Sequence, residues 1–196
     1  GMTGYEAARR ILAANGLHNV QVEHVSGNLT DHYDPKTNVI RLSDSVYENQ
    51  STAAIGVACH EAGHAVQYAT NYSPIKLRAA IIPITNFGSR LAMPLILLGF
   101  LFSAFGAFST TIIYIGIACF GLSLVFQLVT LPVEFNASRR ALAAIEQGNI
   151  LSSEELKGAR KTLSAAAMTY VAATAVSLAQ LVRLIALFGG RGRRRD

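Results

Sequence analysis

His60, Glu61 and His64 fall in an H-E-x-x-H pattern, completed by Ala62 and Gly63. Two histidines four residues apart share one face of a helix, so both imidazoles can reach one zinc ion. Glu61, next to the first of them, is placed to take a proton from zinc-activated water. Gly63 leaves room for close packing or for substrate approach. The flanking residues 53–59 and 65–69 are mostly small or apolar. They predict a helix buried on its other faces and a dry site. A solvated helix face is the competing reading, and those apolar surroundings weigh against it.

A catalytic zinc takes three protein ligands and keeps a fourth position open. No third histidine follows closely, which argues against the longer metzincin pattern. A carboxylate from a later element is the alternative. Glu134 is the first charged residue after residues 91–133, a run of 43 without a charge. Two membrane crossings return a chain to the side it left, so Glu134 is expected on the face that carries the histidines. The competing reading is an interface carboxylate paired with Arg139 or Arg140.

The elements that must position these groups can be read from charge and periodicity. Of 196 residues, 51% are hydrophobic and only 15% charged, against about 25% charged in ordinary soluble domains. Residues 1–90 carry seven basic and seven acidic side chains, and residues 134–196 carry ten and five, so the net +5 belongs to the C-terminal third. Such a chain is neither disordered, nor a disulfide scaffold, nor an ordinary cytosolic enzyme. Cys59 and Cys119 read as free, buried thiols.

Thr3 and Glu6 form a capping box ahead of Ala7, Ala8, Ile11 and Leu12, and Gly16 closes that helix. No secretory signal precedes it, since this first apolar region is amphipathic. Alternation over residues 20–24, 28–34 and 38–42, with turn chemistry at Gly27-Asn28 and from Asp34 to Thr37, predicts a small antiparallel sheet of two or three strands. Residues 44–48 read as a short helical turn, and Ser51 and Thr52 cap a helix that runs to about Thr70. A membrane helix needs about 20 apolar residues. Residues 91–133 hold room for two, joined near Ser109, Thr110 and Thr111, with glycines 99, 106, 116 and 121 suited to close packing in lipid. A charged helix over residues 134–148 follows. Ser152 and Glu155 form a second capping box, and residues 163–188 give a third span with Arg183 snorkelling near its end. The tail arginines 191, 193, 194 and 195 suit anionic lipid headgroups better than nucleic acid, so no nucleic-acid partner is expected.

These residues carry a resemblance. The stretches GMTGYEAARRIL, LTDHYDPKTNVIRLS, HEAGHAVQYA, SPIKLRAA, LVTLPVEFNASRRAL and GARKTLSAAAMTYVA resemble the YugP-type family of neutral, membrane-embedded zinc metallopeptidases, over nearly the whole chain. The resemblance implies a zincin-like peptidase with zinc on His60, His64 and Glu134 and with Glu61 as base. Family members usually begin with one more membrane helix, and Gly1 before Met2 suits a start trimmed from a longer chain. More distantly, residues 134–138 are similar to the E-x-x-A-D signature of membrane gluzincins, in which the aspartate supports a zinc-binding histidine. Ser138 stands in its place here.

The fold expected is therefore α+β: a zincin-like small peptidase domain, made of a small antiparallel sheet and the H-E-x-x-H helix, with about three transmembrane helices. Its divisions are residues 1–73 with the active helix, 74–133 with the membrane hairpin, 134–164 with the third ligand, and 165–196 with the last span and basic tail. In zincins an edge strand pairs with extended substrate, and a histidine or tyrosine polarises the scissile carbonyl or steadies the oxyanion. His32 and Tyr33 are the candidates for that role, against a plain hydrogen-bonded turn. Arg139 or Arg140 could support Glu134 or the oxyanion.

The function expected is a membrane-integral zinc endopeptidase of the cell membrane, multi-pass, acting on a protein or peptide substrate. A non-catalytic zinc-containing membrane scaffold is the alternative, and the intact Glu61 speaks against it. A transporter is disfavoured by spans with almost no polar groups. The reading leaves room for membrane-protein partners or a homo-oligomer. Counting Lys76, Arg78, Arg90, Arg139, Arg140, Lys157, Arg160 and Lys161 on the side of the site favours a cytoplasmic active site. The arginine tail pulls the other way.

Overall fold

Thr3 opens the first helix, α1 (Gly4–Ala14), by accepting the Glu6 N–H at 3.2 Å while the Glu6 carboxylate accepts the Thr3 N–H at 2.8 Å. The helix ends in a Schellman motif: Leu17 N–H reaches the Leu12 carbonyl at 2.9 Å and Gly16 N–H reaches that of Ala13 at 3.0 Å. Gly16 supplies the required left-handed conformation, with φ 70°. These details come from a computed structural model, which describes residues 1–189. The expected arginine anchor at 191–195 lies outside the described residues.

Three short strands follow, β1 (Gln21–His24), β2 (His32–Asp34) and β3 (Val39–Leu42). The expectation of an antiparallel sheet is corrected here. The order is β1-β3-β2, with β3 antiparallel to β2 but parallel to β1. The tight turn between β2 and β3 is as the residues predict. The segment from β1 to β2 is no hairpin, because it carries β2 to the far side of β3. Burial explains the central place of β3: Val39, Ile40 and Leu42 are all buried, whereas the other two strands carry polar, mostly exposed residues. Residues 44–48 form the short helical turn expected, with Tyr47 N–H reaching the Ser43 carbonyl at 2.9 Å.

Four longer helices complete the described residues: α2 (Thr52–Ala69), α3 (Ser73–Leu101), α4 (Ala107–Gln147) and α5 (Ser153–Phe188). Ser51 caps α2 by accepting from Ala54 N–H at 3.2 Å. Ser152 and Glu155 cap α5 reciprocally, at 2.9 and 3.3 Å. Residues 134–147 are helical as expected, and they continue α4 unbroken through Pro132 and Glu134.

The chain forms two units. One combines Gly1–Lys76 with Pro132–Met168, and the other Leu77–Leu131 with the described residues from Thr169 onward. The first unit buries Ile11, Leu12, Ile40, Leu42, Ile55 and Ile145 in a common core. Arg10 fastens α1 to the end of α4 by donating to the Gly148 carbonyl at 2.7 Å.

Within the second unit, Ile96, Ile113, Ile117 and Leu184 pack together. Gly99 and Gly116 let α3 and α4 approach closely, because a Cβ on either would stand 2.8 Å from the Ser109 carbonyl or 2.9 Å from that of Ala92. Gly106 instead breaks the chain between the helices with φ 64°, and Gly121 faces open space. The break between the spans thus lies at residues 102–106 rather than near Ser109. Phe87, Leu101 and Val176 are 68%, 74% and 69% exposed, which suits a lipid solvent and not water. Among the described residues, α3, α4 and α5 are long and apolar enough to cross a membrane.

Candidate metal centre

α2 presents His60, Glu61 and His64, and α4 presents Glu134 and Ser138 across from them. Their side chains are largely withdrawn from solvent: His60, His64 and Glu134 are 15%, 12% and 4% exposed. Glu134 Oε2 lies 3.2 Å from His60 Nε2 and 3.6 Å from His64 Nε2. The imidazoles meet edge to face with centroids 4.7 Å apart. These three residues are the described cluster able to hold a metal ion, with ligand atoms within 4.8 Å of one another.

The donor set fits zinc. Two ligands at about 2.1 Å from a tetrahedral ion stand about 3.4 Å apart, and the two distances to Glu134 bracket that value. The rear nitrogens are also occupied. His60 Nδ1 lies 3.1 Å from Ser138 Oγ, and His64 Nδ1 lies 2.9 Å from Gln67 Oε1. Each ring therefore turns Nε2 toward the carboxylate. Such outer partners are the usual means of orienting histidine ligands.

Electrostatics favours a cation at this point. Burial disfavours charge on His64, yet the facing Glu134 carboxylate and the nearby Glu61 outweigh it and raise the pKa of the ring. Glu61 itself is buried beside the first histidine.

The remaining candidates lie elsewhere or face other partners. His32 is exposed at the edge of the sheet, with Nδ1 donating to the Thr30 carbonyl at 2.7 Å. Its Nε2 can then donate only in the imidazolium form. Tyr33 turns its hydroxyl to Asn38 Oδ1 at 2.8 Å and its ring against Tyr68. Asp31 accepts both the N–H and the hydroxyl of Ser43, at 2.8 and 2.9 Å. Arg139 is exposed. Its neighbour Arg140 points the other way, donating from Nε to Asn136 Oδ1 at 2.8 Å and stacking over Tyr72.

Gln67 is the residue that sequence reasoning passed over. It is fully buried, and it binds His64, the Val133 carbonyl and Asn136 at once. A signal existed: it stands three residues beyond His64 and seven beyond His60, on the same helix face.

Residues 1–189 match a family described as "Putative neutral zinc metallopeptidase". A Bacillus subtilis protein named "Putative membrane protease YugP" is 50% identical over 188 residues, covering 96% of this chain and 81% of the relative. No solved structure matches.

Proposed function

The chain belongs to the family described as "Putative neutral zinc metallopeptidase", and from that premise we propose that it is a membrane-integral, gluzincin-like zinc endopeptidase. One observation carries the reading: two imidazoles and a carboxylate converge beside Glu61, with both rings fastened from behind at Nδ1. That arrangement suits a cation better than a direct histidine–carboxylate pair.

His60, His64 and Glu134 would hold zinc, which supplies a Lewis acid that polarises the scissile carbonyl and lowers the pKa of a water to about 7. Glu61 would accept a proton from the attacking water and pass it to the departing amine nitrogen. Ser138 and Gln67 hold the two rings in place. Burial of α2 excludes bulk water around the carboxylates, which strengthens every charge interaction there. An extended peptide pairs along the edge of β2, where exposed His32 is the better of the two candidates to steady the oxyanion. Positive charges near the membrane ends support a site on the cytoplasmic face of a multi-pass protein.

The test is zinc content and peptide cleavage for the purified protein beside Glu61→Gln. The amide cannot take the proton, so the variant should keep its zinc and lose roughly 10²–10⁴-fold in cleavage rate. Equal cleavage by both, or none by the wild type despite bound zinc, would overturn the catalytic reading in favour of a zinc-holding scaffold.

A further inference from the structure

We infer that Gln67 is a positioning residue for His64, held in its working orientation by Asn136 and Arg140, and that it determines which nitrogen of His64 is available to a metal. The inference rests on the zinc-site reading above, and it goes beyond it by assigning three residues that neither the H-E-x-x-H pattern nor the family description names.

The hydrogen-bond directions follow from two groups that admit no ambiguity. The Val133 carbonyl can only accept, and the Arg140 guanidinium can only donate. Arg140 Nε lies 2.8 Å from the Asn136 amide, so the oxygen of that amide must face it. The same oxygen lies 3.0 Å from the Gln67 amide, and the Val133 carbonyl lies 2.8 Å from it. Both contacts demand the amide nitrogen of Gln67, because its oxygen there would oppose two acceptors. Oε1 of Gln67 is left to face His64 Nδ1 at 2.9 Å. Nδ1 must then carry the hydrogen, which leaves Nε2, on the side of Glu134, as the nitrogen available to a metal.

Burial makes this assignment costly to violate. Gln67 is 0% exposed, so water cannot replace a lost partner, and a buried unsatisfied amide costs about 1–3 kcal/mol. The chain of bonds also crosses from α2 to α4. It therefore fastens the helix bearing the histidines to the helix bearing Glu134. Ser138 cannot do the same for His60, since a hydroxyl both donates and accepts and does not dictate the state of Nδ1.

The experiment measures zinc affinity of the full-length protein in detergent by competition with a chromophoric chelator at fixed pH. Wild type, Gln67→Met, Asn136→Asp and Asn136→Leu are compared, with thermal melts of the metal-free proteins as a check on folding. Loss of such an outer partner typically weakens metal binding 10- to 100-fold, and that is the loss expected for Gln67→Met. Asn136→Asp keeps an oxygen for both Arg140 and Gln67, so it should bind zinc like the wild type. Asn136→Leu removes that oxygen, so it should weaken binding in the direction of Gln67→Met. Cobalt absorption should shift for Gln67→Met and not for Asn136→Asp. Gln67→Met within twofold of a zinc-binding wild type would overturn the inference. If Gln67→Met fails to fold, equal affinity of Asn136→Leu and Asn136→Asp overturns it instead. A wild type that binds no zinc overturns the metal-site reading itself, a distinct result.

Discussion

Gly63 lies directly against the backbone of Ala137: a Cβ on residue 63 would stand 2.7 Å from the Ala137 carbonyl oxygen. The missing side chain brings α2 and α4 together at the turn that carries His60, His64, Glu134 and Ser138. The glycine within the H-E-x-x-H pattern thus serves helix packing and sets the spacing between the two histidines and Glu134.

Gly63→Ala is expected to force the two helices apart by a few tenths of an ångström. Alanine favours a helix by about 1 kcal/mol over glycine, but overpacking against backbone typically costs about 1–3 kcal/mol, and the second effect should win. Zinc affinity should fall along with the melting midpoint. Gly121→Ala is the control, because nothing lies within 4 Å of a Cβ there. Equal behaviour of the two variants would remove the packing argument.

Glu134→Ala should sharply lower the zinc retained per chain, measured by mass spectrometry of metal after dialysis. The two imidazoles would remain but the anionic ligand would be gone. Retention at the wild-type level would mean that another residue completes the site. Asp31, His32 and Asp34 are the acidic or imidazole groups at and just before β2, but Asp31 is already bound to Ser43 and His32 is turned to Thr30.

Local chemistry made much of this legible in the residues. Capping boxes at Thr3 and Ser152, the Gly16 terminus and the Ser51 cap all rest on groups within a few residues of one another. The sheet order was not legible, because which strand lies in the centre depends on what covers it. The break between the first two long apolar helices was misplaced for a different reason. Ser109 and Thr111 look like turn residues, but inside an apolar helix their hydroxyls donate back to the carbonyls of Gly106 and Ala107, at 2.8 and 3.0 Å. The helix continues through them, and Gly106 with its positive φ is the actual break. Gln67 was missed because an amide is not a metal ligand, and its role appears only once α4 is packed against α2.

The turn between β2 and β3 carries a pH signature. Asp34 accepts from the Thr37 hydroxyl at 2.7 Å and the Lys36 N–H at 2.9 Å, with Arg41 Nη1 at 3.4 Å. Led by the Thr37 hydroxyl, these donors favour the carboxylate and bring its pKa down from 3.8 to about 2. A depressed carboxylate pKa gives stability that is fully present above the unfolded value and lost as pH falls through the folded one. Asp34→Ala should therefore lower the thermal midpoint by a constant amount between about pH 7 and pH 5, a difference that shrinks from about pH 4 toward pH 2. Narrowing already above about pH 5 would assign the effect to another group.

The last prediction concerns the membrane. Each crossing takes roughly 20 apolar residues, and with the break at residues 102–106 the first crossing must draw on α3 upstream of residue 91, past Arg90, while α4 supplies the second. The break at residues 102–106 should then lie on the face opposite Asn149, which follows α4. Ser109 is a poor probe of that face, being only 3% exposed. Ser103 is exposed within the short turn Ser103–Phe105, and Asn149 is exposed at its own left-handed turn. Single cysteines at Ser103 and Asn149, in a background with Cys59 and Cys119 replaced by alanine, can be probed with an impermeant thiol reagent in intact cells. With the site on the cytoplasmic face, Ser103→Cys should label at once, and Asn149→Cys only after the membrane is opened. The reverse pattern would keep the two crossings and invert the orientation. Labelling of both from one side would mean that α3 and α4 do not both cross, and the route that brings Glu134 back to His60 and His64 would then avoid the bilayer.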